Sequence, residues 1–211
     1  MPKKKRRRTV KKREKKRLYT VTAPPSLGGM ELLEVMAKED ESLINKTYRP
    51  LLYDISEDLQ HQNMVLKLKI NRVEGEKAQT IYFGHEYVRE YLRALMIRGT
   101  SYVEATRDVE TKDGFLYRAM VGSFTSRRIN TSRKKAIRKI IFDVLEKRAS
   151  ELDNDSFIKE MLFGKIASEV YNMAKKICPL RHVGIIKQRL LAGPALGEEA
   201  VHEEGPSPSR G

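Results

Sequence analysis

The sequence predicts an α+β domain with its strands first and its helices later. Three observations point there. Residues 64–73 alternate apolar and polar side chains, the period of a half-buried strand. Asp113-Gly114 lies between two β-like runs and is a strong short-range hairpin signal. From Ser132 onward the apolar spacing becomes helical, so strand text gives way to helix text.

In chain order, Leu18 to Leu27 reads as β-like and loosens into a loop at Pro24, Pro25, Gly28 and Gly29. Residues 30–39 read as a short helix, and Thr47 to Ile55 as a strand. Met64 to Val73 puts Leu66, Leu68 and Ile70 on one face and Lys67 and Lys69 on the other. Glu74-Gly75-Glu76 turns the chain, and Ala78 to Phe83 returns as the hairpin partner. Glu86 to Arg98 reads as a helix striped by Val88, Leu92, Leu95 and Met96, with Gly99 as its stop. Tyr102 to Val109 and Phe115 to Phe124 form a second hairpin around Asp113-Gly114. Ala136, Ile137, Ile140, Ile141, Val144 and Leu145 predict an amphipathic helix over Ser132 to Lys147. Asp153 or Asp155 caps a helix that reaches Phe163, and Gly164 interrupts it. Lys165 to Ile177 gives a further helix with Ile166, Val170, Ala174 and Ile177 inward, ended by Pro179. His182 to Leu191 reads as a last strand.

The chain has 211 residues, of which 40% are hydrophobic, enough for one packed core. It carries 42 Lys and Arg against 28 Asp and Glu, a net charge of +14, which points to a polyanionic partner. No stretch approaches the roughly 18 apolar residues that a membrane helix needs, and the charged start is no secretory signal. The single cysteine, Cys178, excludes an internal disulfide framework and a multi-cysteine zinc site. These features describe a soluble, intracellular protein without a membrane partner.

The positive charge is concentrated in two places. Residues 1–17 hold twelve Lys or Arg and one Glu: Lys3, Lys4, Lys5, Arg6, Arg7, Arg8, Lys11, Lys12, Arg13, Lys15, Lys16 and Arg17 are the cations. Such a segment repels itself and has little to bury, so it reads as a disordered basic tail that orders on a partner. The second cluster is Arg127, Arg128, Arg133, Lys134, Lys135, Arg138 and Lys139, with no acid among residues 127–139. Thr131 or Ser132 is a suitable N-cap, yet three cations then fill the first helical turn. The positive end of the helix dipole disfavours them by a few tenths of a kcal/mol each. A local rule broken in this way marks function, and an RNA phosphate at the helix start removes the conflict. A charge run is more commonly a plain solvated face; the missing acids and the second basic block favour RNA contact. Residues 193–211, rich in Gly, Pro, Glu and Ser, read as a disordered acidic tail. The domain itself occupies 18–192.

Catalytic signals are weak. His61, His85, His182 and His202 are too scattered for a metal site, and His85 reads as a helix-start residue. Cys178 reads as structural, and Tyr82, Tyr87, Tyr91 and Tyr117 as core. No phosphate-cradling Gly-Lys-Ser/Thr loop or dinucleotide fingerprint is present, so no cofactor is expected. The chain has no Trp and only 7% aromatics, which favours recognition of RNA shape and backbone over base readout.

Three segments go further: FGHEYVREYLRALMIRGTS, DVETKDGFLYRAMVGSFTSRRINTSRKKAIRK and FIKEMLFGKIASEVYNMAKKICPLRHVGIIK. In order and spacing they resemble the archaeal and eukaryotic small-subunit ribosomal protein family S-one-e, also called S-three-A-e. The resemblance covers roughly residues 18–192 and is nearest the archaeal form. It implies a β-barrel-like body flanked by helices, sited on the platform of the small subunit near the messenger exit, in the cytoplasm. It implies ribosomal RNA and neighbouring platform proteins as partners, and leaves messenger RNA near the exit open. The implied RNA contacts fall on the basic tail and on Arg127 to Lys139. The expected function is structural: to bind and stabilise ribosomal RNA in support of translation. A free-standing RNA-binding regulator or architectural nucleic-acid-binding protein is the alternative, and an RNA-modifying enzyme lacks any catalytic signature.

Overall fold

A computed structural model describes residues 16–193; the predicted basic tail through Lys15 and the predicted acidic tail beyond Gly193 lie outside the described residues. The architecture is α+β, with eight strands in one sheet and five α-helices among the described residues. The strands are β1 (Arg17–Thr22), β2 (Glu31–Ala37), β3 (Thr47–Tyr48), β4 (Met64–Glu74), β5 (Lys77–Tyr87), β6 (Tyr102–Glu110), β7 (Leu116–Thr125) and β8 (Leu180–Ala192). The helices are α1 (Tyr53–Ser56), α2 (Arg89–Leu95), α3 (Thr131–Glu151), α4 (Asn154–Leu162) and α5 (Lys165–Ala174). Among the described residues, no helix is long and apolar enough to cross a membrane.

The sheet runs β2-β1-β5-β8-β7-β6, and β4 joins β5 on its other edge, with β3 beyond it. This ladder is open: among the described residues β2, β3 and β6 end it, so the implied barrel does not close. The path turns on β5. Its first residues pair in parallel with β1, and Gly84 to Glu86 pair antiparallel with β8 on the same edge. The exchange occurs at Gly84, where φ is +151°. A Cβ there would collide with the backbone carbonyl of Gln188, so the two strands approach closely only because the residue is glycine.

β7 and β8 are covered on both faces. Tyr117, Ala119 and Val121 join the main core with Ile137, Ile141, Val144 and Leu145 of α3, and with Phe157, Ile158, Ile166 and Val170 of α4 and α5. Phe124 and Ile186 point the other way and pack with Leu95 of α2, beside Tyr87, Tyr91 and Tyr102. A smaller core under β1 and β2 joins Tyr19, Val21, Leu43 and Ile70. The alternation in β4 holds: Leu66, Leu68 and Ile70 are buried, while Lys67 reaches Glu86 on β5 at 2.6 Å.

Several expectations are corrected. Residues 31–37 form a strand, because β1 offers a full antiparallel ladder and the small core takes Leu33 and Val35. Tertiary pairing here overrides the helix propensity of Leu, Glu and Met. The strand expected from Thr47 stops at Tyr48; Pro50 has no N–H, and the Asp54 carboxylate accepts the Leu51 amide at 3.0 Å to start α1. The helix expected from Glu86 starts at Arg89, since β4 holds Glu86 and Tyr87 in the ladder. Met96 is 52% exposed and off the apolar stripe. α3 extends to Glu151, α5 stops at Ala174, and β8 spans Leu180–Ala192. Asp153 occupies the N-cap position of α4 without capping it. Asp113 of the β6–β7 turn accepts the Asn154 amide at 2.7 Å instead.

His85 is also corrected: it sits inside β5, fully buried. Its Nδ1 lies 2.6 Å from the Tyr82 hydroxyl, and that hydroxyl donates its proton to Gln188 Oε1 at 2.9 Å. Tyr82 and Tyr117 are core residues, as expected. Burial pushes the His85 imidazole down from 6.5 to about 4.

Two outcomes follow from this part of the fold. Gly84→Ala should lower stability by on the order of 3 kcal/mol, because only backbone could yield. Gly114→Ala, at φ +77° with open space around it, should lose only about 1–2 kcal/mol; chemical denaturation compares them. His85 stays neutral in the folded state down to about 4, while the unfolded chain protonates it near 6.5. The folded state therefore loses stability as pH falls from 6.5 toward 4, by up to roughly 3 kcal/mol. Urea midpoints should show this acid loss in the parent and a shallower one in His85→Gln; equal slopes would contradict it.

Candidate nucleic-acid interface

The second basic cluster sits where β7 hands the chain to α3. The connecting loop is pinned from below by two buried hydroxyls. Thr125 Oγ1 donates to the backbone carbonyl of Arg127 at 2.7 Å and accepts the Ser101 amide at 2.9 Å. Ser101 Oγ accepts the Ile129 amide at 3.1 Å, and the Ser126 amide reaches the Pro179 carbonyl at 3.0 Å. Ile129 is buried among the core residues, whereas Arg127 and Arg128 are exposed. The loop is anchored by backbone and Ile129, which frees both arginine side chains to face outward.

α3 starts directly behind this loop. Asn130 holds the N-cap position, in place of the expected Thr131 or Ser132, and makes no capping hydrogen bond. The first turn contains no acid. Its leading amides therefore keep their hydrogen-bonding capacity, and the positive end of the helix dipole is unopposed. Arg133 and Lys135 are exposed and Lys134 half-buried, while Ile137, Ile141, Val144, Leu145 and Ala149 fix the opposite stripe in the core. That stripe sets the rotation of the helix and so the outward direction of its cations.

Among the described residues, Arg127, Arg128, Arg133, Lys134, Lys135 and Lys139 pair with no carboxylate. Arg138 is engaged: its Nε donates to the backbone carbonyl of Glu104 on β6 at 2.9 Å. Farther along α3, Glu146 pairs with Arg107 of β6, which stands 5.5 Å over the Phe142 ring, so acids return on the helix beyond the cluster. Burial pushes the Cys178 thiol up, and the charges of Arg133 and Arg127 pull it down. Exposed cations thus flank the N-cap Asn130 on both sides.

Of the tail cations, only Lys16 and Arg17 are among the described residues, and Arg17 does not join this cluster. Lys16 and Arg17 are exposed, and Arg17 opens β1, with β5 and β8 lying between β1 and β7 in the sheet. Lys3, Lys4, Lys5, Arg6, Arg7, Arg8, Lys11, Lys12, Arg13 and Lys15 lie outside the described residues. Sequence reasoning missed Thr125 and Ser101, whose supporting role depends on a contact between β7 and the start of β6. It also missed Arg181, whose guanidinium donates to the Ala94 and Leu95 carbonyls at 3.2 and 2.9 Å. Among the described residues, no group of three or more His, Cys, Asp or Glu could hold a metal ion.

With this geometry established, comparison with known proteins is informative. The model of the Ribosomal S3Ae family matches residues 4–194. The small ribosomal subunit protein eS1 of Pyrobaculum aerophilum is 43% identical over 189 residues, covering 90% of this chain and 86% of that protein. The eS1 proteins of Desulfurococcus amylolyticus and Sulfolobus acidocaldarius are each 38% identical. The first match covers 92% of this chain and 88% of that protein, the second 85% and 91%.

Proposed function

This chain belongs to the Ribosomal S3Ae family, and on that premise we propose that it is a structural constituent of the small ribosomal subunit that binds and stabilises ribosomal RNA. It works as a component of a ribonucleoprotein in translation and not as an enzyme. Its single domain over 18–192 seats against folded RNA, and the basic tail and the Arg127-to-Lys139 cluster supply the neutralising charge. The tail at 1–17 threads RNA. The chain acts in the cytoplasm on the platform of the subunit near the messenger exit, beside other platform proteins.

One observation carries the reading: the first turn of α3 has no acid and no cap, and the loop before it is pinned so that Arg127 and Arg128 face out. Phosphate oxygens complement every part of that arrangement. They accept from free amides, stabilise the dipole, and pair with guanidinium groups in a charge-assisted geometry. Nothing in the patch distinguishes one base from another, so it positions RNA without reading sequence.

Two measurements test this. The full chain with Arg127, Arg128, Arg133, Lys134 and Lys135 all changed to Ala should keep its circular-dichroism spectrum, because none of the five pairs with a described acid. Its affinity for ribosomal RNA should fall, and the slope of log affinity against log salt should shrink by about 4–5. An unchanged slope would remove these residues from the interface. In cells, the same variant should be depleted from salt-washed small subunits by quantitative mass spectrometry. Normal incorporation, or a persistent free pool of the parent protein, would count against a structural ribosomal role.

A further inference from the structure

The fold carries a second feature that the basic patch does not use. A cleft of about 490 Å³ opens between α5, the turn joining α4 to α5, and the first residues of β8. Its size falls in the roughly 300–1,000 Å³ range of small-ligand sites. Five rings line it: His61, Tyr87, Phe163, Tyr171 and His182. Phe163 is 52% exposed and meets His61 edge-on at 5.5 Å. Tyr87 and His182 stand 6.2 Å apart, and Tyr91 braces both edge-on at 5.4 and 6.0 Å. The wall is therefore preformed.

The polar part of the lining is equally specific. The side chains of Gln60, Ser168 and Asn172 line the cleft and are exposed, and His182 Nε2 is buried with no hydrogen-bond partner among the described residues. No Asp or Glu lines it, whereas Arg181 does, and the Lys175 ammonium lies 5.9 Å over the Tyr171 ring. A cleft with ring walls, amide and hydroxyl groups, and cations without carboxylates matches an unstacked nucleobase with its phosphate. The place fits as well: the Pro179 carbonyl holds the Ser126 amide of the basic loop, and the lining starts two residues later at Arg181.

We propose that this cleft receives one unstacked nucleotide from a single-stranded stretch of RNA, its base among the rings of Phe163, Tyr171 and His182 and its phosphate toward Arg181. The proposal rests on the reading of the chain as an RNA-bound protein and adds a single-strand subsite to it. The basic patch holds backbone of any helical form; the cleft selects RNA with a base free to leave the stack.

The test uses the full chain, a mixed-sequence single-stranded RNA and a blunt RNA duplex of equal length, with binding followed by fluorescence anisotropy. Phe163→Ala should weaken single-strand binding by about fivefold or more and leave duplex binding unchanged. Asn172→Ala, a change at an exposed amide, should shift the same single-strand term in the same direction and guards against a folding artefact in the first variant. In purified small subunits carrying 4-thiouridine, ultraviolet cross-linking should place an adduct on the cleft residues. If the five-cation variant weakens both RNAs and Phe163→Ala and Asn172→Ala weaken neither, the subsite is overturned and the wider function stands. If the five-cation variant leaves both RNAs unchanged, the wider function falls. A protein side chain cross-linked into the cleft in place of RNA would overturn the subsite too.

Discussion

Strand β5 has to satisfy three partners, and the rest of the sheet depends on how it does so. One edge carries β4 along nearly its full length, while the other is divided between β1 and β8. The division is possible because the backbone at Gly84 meets the Gln188 carbonyl with no Cβ between them. Beside it, Tyr82, His85 and Gln188 are linked in a fully buried network, with His85 Nε2 3.3 Å from the Ile185 carbonyl and Gln188 Nε2 without a partner among the described residues. Isolated, such groups cost folding free energy; linked, they fix which strand β5 meets and in which register. The sheet therefore forks at β5 and stays open.

That fork sets up the functional surfaces. By pairing with β5 over Lys187 to Arg189 and with β7 along its length, β8 becomes a strand buried on both faces, with α3, α4 and α5 on one side and α2 on the other. The basic loop hangs from the start of this unit by Thr125, Ser101 and the Pro179 carbonyl. Repulsion among the cations is tolerated because the anchoring is done by uncharged groups and by Ile129, and the charged ends face solvent. A rigid support of this kind lowers the ordering cost of any ligand that binds there. The aromatic cleft has the same support, since its wall residues Arg181 and His182 belong to β8.

Much of this was legible locally. The hairpin at Asp113-Gly114, the alternation in β4 and the apolar stripes of α3 and α5 depend on neighbours in sequence, and each matches the structure in kind. The failures share one cause. Residues 31–37 carry helix-forming side chains but lie against β1, and Glu86 and Tyr87 carry a helical pattern but stay in the ladder of β4. His85 read as a helix start for the same reason. In each case the deciding partner is remote in sequence, and backbone pairing with it outweighs a preference of a few tenths of a kcal/mol per residue.

By itself, the sequence determined the class of partner, the α+β order of elements and the two cationic segments, because charge density and hydrophobic period are properties of neighbouring residues. Which cations share a surface was decided by tertiary structure alone. Arg127 and Arg133 flank one N-cap and are both exposed, Arg138 is drawn onto the Glu104 carbonyl, and Arg17 is set two strands away. The cleft lined by His61, Tyr87, Phe163 and His182 was beyond any local pattern, since it gathers residues spread over more than half of the chain. Only packing of α5 and the α4–α5 turn against the start of β8 brings those rings together.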